Sequence, residues 1–204
     1  MKRGVSLFHR LLLGAALVFA ICQPALAQRG AYTARRSLEQ MVSGADVIVR
    51  GSVISARVES IPQYPNLRSV VVTLKLHKVL KGTAGSTYTF RQFIWDARDR
   101  YDAAGYRKGQ RYLLFMHRAN DKGLTSPVGM QQGRFLISRD ESGTETAVNG
   151  IGNAGLFREV PVRVKQRSAR ISQQALRVAE SHRRGPVRLE ELEEIVRVLG
   201  EVRQ

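Results

Sequence analysis

The clearest alternation of apolar and polar residues in the chain runs from Arg68 to Gly82. Within it, Val70, Val72, Leu74 and Leu76 alternate with Val71, Thr73, Lys75 and His77. A period of two over eight residues, rich in β-branched types, predicts a long strand with one buried face. The other predicted strands are most simply placed as neighbours of this one.

Two elements precede this strand. Residues 37–42 predict a short helix, with Ser37 as the N-cap, Gln40 in the capping-box position and an apolar face that packs on the sheet. Residues 46–58 predict the first strand. Its apolar residues change parity beside Gly51, from Val47, Val49 and Val53 to Ile54, Ala56 and Val58. Such a change predicts a bulge or a sharp bend, and residues 59–67 predict a hairpin connection.

Further strands are predicted at residues 87–95, 111–117, 133–138 and 146–148, and helices at 171–182 and 189–201. Residues 111–117 are apolar on both faces, which predicts a central strand. Five or six short strands, glycine-containing turns and terminal helices predict a mainly β fold. We expect a small, closed OB-like β-barrel over residues 28–158 with a short N-terminal helix. A basic linker and a C-terminal helical appendage are expected over residues 159–204.

The first 27 residues have the three parts of an export signal: a basic start, an apolar stretch and a small-residue cleavage site. Cleavage is expected between Ala27 and Gln28, which predicts a periplasmic or secreted protein of Gram-negative type. The apolar stretch from Leu11 to Cys22 has twelve residues, whereas a membrane span needs about 18 or more. We therefore expect no stable span after cleavage. The mature chain has no cysteine, so its stability depends on an ordinary core.

The chain is strongly basic, with a net charge of +16 at pH 7. Residues 28–133 carry 17 Lys and Arg against 7 Asp and Glu. Such an excess favours a polyanion partner, either envelope lipopolysaccharide or polysaccharide, or nucleic acid. The alternative is purely compositional, because arginine outnumbers lysine 26 to 7 and the arginines are scattered.

Four stretches carry a resemblance to a known group of proteins. They are ADVIVRGSV at 45–53, KVLKG at 78–82, KGQRYLLF at 108–115 and QGRFLIS at 132–138. Together they resemble secreted bacterial proteins of unassigned function, whose barrel is similar to the OB-like domain of tissue inhibitors of metalloproteinases (TIMP) and to netrin-like domains. The resemblance implies a secreted barrel that binds another macromolecule. It implies no metal ligand, because the inhibitors use an N-terminal cysteine and Gln28 is the expected first residue here.

No group of residues predicts an enzyme. His77, His117 and His182 lack metal-ligand spacing, although His77 and His117 would approach each other if their strands paired. Asp96, Asp99 and Asp102 recur every three residues, but arginines intervene and no calcium-loop pattern appears. The letters GIGNAG at 150–155 match GxGxxG without its βαβ context. We expect no catalytic residue, no metal and no cofactor.

The loop at residues 96–109, with the tryptophan that precedes it, is the preferred candidate for a binding surface. Aromatic and basic side chains are favoured in interfaces, and loops often carry function. The candidate residues are Trp95, Arg98, Arg100, Tyr101, Tyr106, Arg107 and Lys108. The aromatic residues at 88, 90, 93 and 95, with Arg91, suit a barrel core and single-stranded nucleic acid equally. We expect a non-enzymatic module that binds an unidentified protein, for which a protease is one candidate, with a polyanion as the alternative.

Overall fold

The computed structural model describes residues 33–61, 64–162 and 171–201. The predicted signal peptide, its cleavage site between Ala27 and Gln28, and residues 163–170 of the predicted linker lie outside the described residues. None of the described helices is both long enough and apolar enough to cross a membrane.

Seven strands carry the described fold: β1 (Val47–Ile61), β2 (Tyr64–Lys81), β3 (Thr87–Phe93), β4 (Arg111–Met116), β5 (Arg134–Arg139), β6 (Glu145–Asn149) and β7 (Val187–Arg188). The α-helices described over their full length are α1 (Leu38–Gly44), α2 (Gln173–Ser181) and α3 (Leu189–Gly200). Short 3-10 helices occupy Ala97–Arg100, Ala103–Gly105 and Met130–Gly133. The long alternating strand predicted from the sequence is therefore β2.

The strands form one antiparallel sheet in the order β3-β2-β1-β4-β5-β6-β7. The prediction of a mainly β fold is confirmed, but the expected closed barrel of five or six strands is not observed. Within the described chain, the loop after β4 contacts the sheet through two isolated bridges, from Leu124 to Arg91 of β3 and from Pro127 to Met116 of β4. This loop runs beside β3, and the sheet stays open, with β3 and β7 at its two edges.

The sheet has a hydrophobic cluster on each of its faces. The first cluster includes Phe115 and Phe135 and is covered by helices α1, α2 and α3. The second cluster includes Phe90 and Leu114 and is enclosed largely by β1 to β4. β4 contributes buried side chains to both clusters, which confirms the prediction of a central strand.

The predicted change of parity in β1 is a β-bulge at Ile54. The register with β2 slips between Val53 and Ser55, so that Ile54 is an extra residue. The apolar residues before and after the slip reach the second cluster, because one extra residue reverses the alternation. Ile54 itself is exposed. Gly51 is needed for a different reason, since a Cβ atom there would lie 2.6 Å from the carbonyl oxygen of Lys75.

The helices form as their sequences predict, and they belong to the core. α1 begins with the predicted capping box between Ser37 and Gln40. α3 buries Leu192, Ile195 and Val196 in the first cluster, against the sheet and the other helices. The C-terminal helices, expected as an appendage, therefore pack directly on the sheet. The two-residue strand β7 was not predicted, because two residues carry no periodic pattern.

Candidate functional site

The predicted binding loop consists mainly of two 3-10 turns that aspartate side chains cap. The carboxylate of Asp96 accepts a hydrogen bond from the backbone N–H of Arg98, and that of Asp102 accepts one from Gly105. The guanidinium of Arg98 also binds the Asp96 carboxylate, at 2.6 Å. Asp96 and Asp102, the first and last of the three regularly spaced aspartates, therefore serve as turn caps.

Tyr106 was predicted to lie on the surface of the loop, but its side chain is buried inside the second cluster. Its ring meets those of Phe90 and Tyr112 edge-on, with centroids 5.6 and 5.5 Å away. The guanidinium of Arg134 lies over the ring, 4.7 Å from its centroid. The Tyr106 hydroxyl donates to Oε1 of Gln92, at 3.2 Å. Burial raises the pKa of Tyr106 to about 12.

Two alanines beside Tyr106 hold the loop in an unusual conformation. Ala103 and Ala104 have φ angles of 51° and 55°, in the left-handed region that non-glycine residues seldom occupy. The Ala104 carbonyl accepts from Nη1 of Arg134 at 2.6 Å, and the Gly105 carbonyl accepts from the Tyr112 hydroxyl at 3.0 Å. These contacts with the core hold the strained backbone in place.

The rest of the predicted site is on the surface, in two groups separated along the chain by the buried Tyr106. Trp95 is 65% exposed and rests edge-on against Phe93, and Tyr101 is 93% exposed. The side chains of Arg98, Arg100, Arg107 and Lys108 are also exposed. The loop thus presents two rings and four cations from a backbone tied to the core.

A second candidate site was missed by the sequence: an open cleft of about 700 Å³ between β3 and residues 117–125. Its main lining comes from Asp46 and Val47, Gly82 and Thr83, residues 88–91 of β3, and residues 117–119 just after β4. Val71, Gly123 and Thr125 complete the lining. Only the topology brings these segments together, so no pattern in the sequence marks the cleft.

One wall of the cleft is the free edge of β3. The Leu76 N–H donates to Ser86, and the Ile94 N–H donates to Arg68. Even-numbered positions of β3 therefore pair with β2, and odd-numbered positions direct their N–H and C=O groups to the other side. There the Arg91 carbonyl accepts from the N–H of Thr125 at 2.9 Å. In residues 33–61, 64–162 and 171–201, no backbone hydrogen bond reaches the outward side of Thr89.

The charges of the cleft are largely compensated. The Asp46 carboxylate accepts from the backbone N–H of Arg118 at 2.8 Å and lies 3.7 Å from its guanidinium. The guanidinium of Arg91 donates to Glu59 at 3.0 Å and to Ser69 at 2.9 Å. Each arginine of the cleft thus has a carboxylate partner. Burial, and then the negative charge of Asp46, raises the pKa of Tyr88 in the same cleft.

The three histidines that the structure describes lie apart. β2 and β4 flank β1 on opposite sides, so His77 and His117 are not on paired strands. Nε2 of His77 hydrogen-bonds Oγ of Ser52 at 2.7 Å, and His117 lines the cleft. His182 packs edge-on against Phe157, with ring centroids 5.6 Å apart. Across the part of the chain that the structure describes, no group of three or more His, Cys, Asp or Glu side chains is placed to hold a metal ion.

The GIGNAG segment at 150–155 forms a series of turns. Its buried Asn153 donates through Nδ2 to the carbonyl oxygens of Ala147 and Gly185, at 2.9 and 2.8 Å. These bonds connect the turns to β6 and to the chain before β7, which gives the segment a structural role.

Neither a scan of the chain against models of protein families nor a search of curated proteins gives a match. The function must therefore be argued from the geometry.

Proposed function

We propose that this chain is an exported, non-enzymatic binding module of the OB-like, TIMP- or netrin-like type, and that it holds an extended segment of a partner protein in the cleft beside β3. The observation that carries the proposal is the unpaired edge of β3 at Thr89, inside a cleft of about 700 Å³. The bulged β1, which pairs with both β2 and β4, supports the OB-like type.

Strand addition is the binding mode that suits this edge. An extended peptide adds to an exposed strand through main-chain hydrogen bonds, and neighbouring pockets select its side chains. Uncovered edges favour unwanted association, and proteins usually protect them. Because Thr89 has a free N–H and C=O on this side, it offers both groups that an incoming strand requires.

The size of the cleft fits a short segment. Volumes of about 300–1,000 Å³ are typical of ligand sites, and the cleft falls within that range at about 700 Å³. The part of β3 that is free for pairing runs from Thr87 to Phe90, because the Arg91 carbonyl is already bonded to Thr125, and it spans roughly 10 Å at about 3.4 Å per residue. The expected occupant is therefore a stretch of about four residues, for which an exposed loop of a protease is one candidate.

The charges favour a peptide over a polyanion in this cleft. Asp46 and Glu59 offset the charges of Arg118 and Arg91. A polyanion would have to compete with these carboxylates for each cation, whereas main-chain pairing requires no net charge.

Proline at position 89 provides the test. Thr89→Pro removes the free N–H but leaves the pairing with β2, because that N–H points away from β2. Thr89→Val is the matched control: both variants lose the hydroxyl bond between Thr89 and Thr73, but valine keeps the N–H. Mature protein and both variants are immobilised and exposed to envelope and culture proteins, and captured proteins are quantified by mass spectrometry.

We expect one protein to be captured by the wild type and by Thr89→Val, with at least a tenfold loss for Thr89→Pro, equivalent to about 1.4 kcal/mol. Binding of that protein should also slow hydrogen exchange at the amide of Thr89. Equal capture by all three proteins, or repeated capture of none, would contradict the proposal. Circular dichroism of both variants confirms that the fold is intact.

A further inference from the structure

A basic surface lies on the face of the sheet that α3 only partly covers. Lys75 on β2 is directly opposite Ser52 on β1, and Ser52 is in turn opposite Arg111 on β4. Directly opposite residues project from the same face, with Cβ atoms about 5 Å apart. The adjacent pair, Lys78 and Arg50, lies closer to α3. With His77, these six residues are named the basic face.

A bulge in β2 brings His77 to the centre of the basic face. The register between β1 and β2 slips after Arg50, and His77 is left without a partner on β1. Its Nε2 atom then lies 2.7 Å from Oγ of Ser52. A hydroxyl and an imidazole thus lie among the cations, and the side chains of His77 and Lys75 are both exposed.

The cations of this surface outnumber its carboxylates. Glu193 lies 2.7 Å from Lys78 and 3.2 Å from Arg50. Glu145 binds Arg111 and lies 3.6 Å from the flanking Arg139. The hydrogen bond from Arg111 lowers the pKa of Glu145, which keeps this carboxylate ionised.

Lys75 adds a cation that has no acidic partner. In the described chain no carboxylate lies within ion-pair distance of Lys75, so the four cations of the basic face and the flanking Arg139 meet two carboxylates. The arginines retain unused N–H donors, because a guanidinium has five.

We propose that the basic face binds a phosphate-bearing oligosaccharide, independently of the cleft beside β3. Lysine and arginine form strong charge-assisted bonds with phosphate. The hydroxyl of Ser52 and the imidazole of His77, which are hydrogen-bonded to each other, suit the hydroxyl groups of a sugar.

The spacing of the cations favours a ligand with several phosphates. Lys75 and Arg111 are two strand spacings apart, which is about 10 Å. Arg50 lies two residues from Ser52 along β1, about 7 Å away. A single phosphate reaches one or two of these cations, whereas an oligosaccharide with two or three phosphates reaches the whole surface. Binding of inorganic phosphate should therefore be much weaker.

Single-stranded nucleic acid is the less suitable polyanion. Proteins that bind it combine basic grooves with aromatic side chains on which the bases stack. Apart from the imidazole of His77, no residue of the basic face has an aromatic ring. The exposed rings of Trp95 and Tyr101 belong to the loop after β3.

Calorimetric titration of the mature chain tests the proposal. The probe is deacylated lipopolysaccharide, a soluble phosphorylated oligosaccharide, and the same material dephosphorylated with hydrofluoric acid is the control. Lys75→Gln removes an exposed cation without breaking an ion pair. Lys122→Gln removes the same charge from the loop after β4, where Lys122 contacts Tyr64 at the start of β2, far along that strand from Lys75.

We expect Lys75→Gln to weaken binding roughly fivefold, as for the loss of one charge-assisted bond of about 1 kcal/mol. Dephosphorylation should weaken it further, and Lys122→Gln should leave it unchanged. Equal losses of affinity in the two lysine variants would show non-specific attraction by the net positive charge and would overturn the proposal. The proposal is also overturned if dephosphorylation leaves the affinity unchanged, if single-stranded DNA binds more tightly than the oligosaccharide, or if the oligosaccharide does not bind at all. Thr89→Pro should retain full affinity, so the two proposals can fail separately.

Discussion

Glu193 connects helix α3 to two strands through its charge, and its replacement tests how that helix is held on the sheet. Its side chain is 5% exposed and lies between Nζ of Lys78, at 2.7 Å, and Nη1 of Arg50, at 3.2 Å. In Glu193→Gln the side chain keeps almost the same shape but loses its charge. Two partly buried cations are then left without their carboxylate.

The expected cost follows from the burial of the three groups. Removing one partner of a buried ion pair costs about 3–5 kcal/mol. Lys78 and Arg50 are 39% and 22% exposed, so water offsets part of the loss. We expect the free energy of unfolding to fall by about 2–3 kcal/mol. In a domain of this size, such a change lowers the Tm by about 5–10 °C.

Urea unfolding followed by circular dichroism measures this change. Glu190→Gln is the matched control, because it removes the same charge from an exposed position of the same helix. Its effect should stay below about 1 kcal/mol, as for an acidic residue near a helix N-terminus. In a double-mutant cycle with Lys78→Met, Glu193→Gln should show coupling. If Glu193→Gln were no more destabilising than Glu190→Gln, the role assigned to this ion cluster would be refuted.

Two further predictions concern the buried ring of Tyr106 and the half-buried ring of His182. Tyr106→Phe removes one hydrogen bond, to Gln92, and should cost about 1 kcal/mol, whereas Tyr106→Ala should cost about 3–5 kcal/mol. Urea unfolding of both variants checks this, and an alanine variant of unchanged stability would contradict the buried position. Burial lowers the pKa of His182 from 6.5, and the bond to the Gly185 carbonyl only partly opposes this. The stability that depends on neutral His182 is therefore complete above about pH 6.5 and declines as the pH falls towards the folded-state pKa. Thermal unfolding across this range should show a smaller decline in His182→Gln, and identical profiles would contradict the prediction.

The alternation of β2 and the capping box of α1 could be predicted from the sequence because each depends on residues close together in the chain. The same holds for the parity change in β1, where the exact position of the bulge, at Ile54, required the register with β2. The central position of β4 followed from its two apolar faces. In each case the backbone geometry links residues that are close in the chain, so the local sequence pattern is enough to predict the local structure.

The candidate sites depended on contacts between distant residues. Tyr106 resembled a surface residue within its polar loop, and only the positions of Phe90, Tyr112 and Arg134 place its ring in the core. The cleft beside β3 exists because the chain after β4 runs along that edge without completing a barrel. Its lining comes from several segments that are distant along the chain and share no sequence pattern.

The sequence by itself therefore determined the strands β1 to β6, the helices α1 to α3 and the mainly β class, since periodicity and capping act over a few residues. Only the tertiary structure decided that the sheet stays open and that the C-terminal helices share its core. It also singled out Glu193 from the four glutamates at the start of α3 as the one that meets Arg50 and Lys78. Burial and charge pairing depend on which surfaces are in contact, and contacts between distant segments are fixed only when the whole fold has formed.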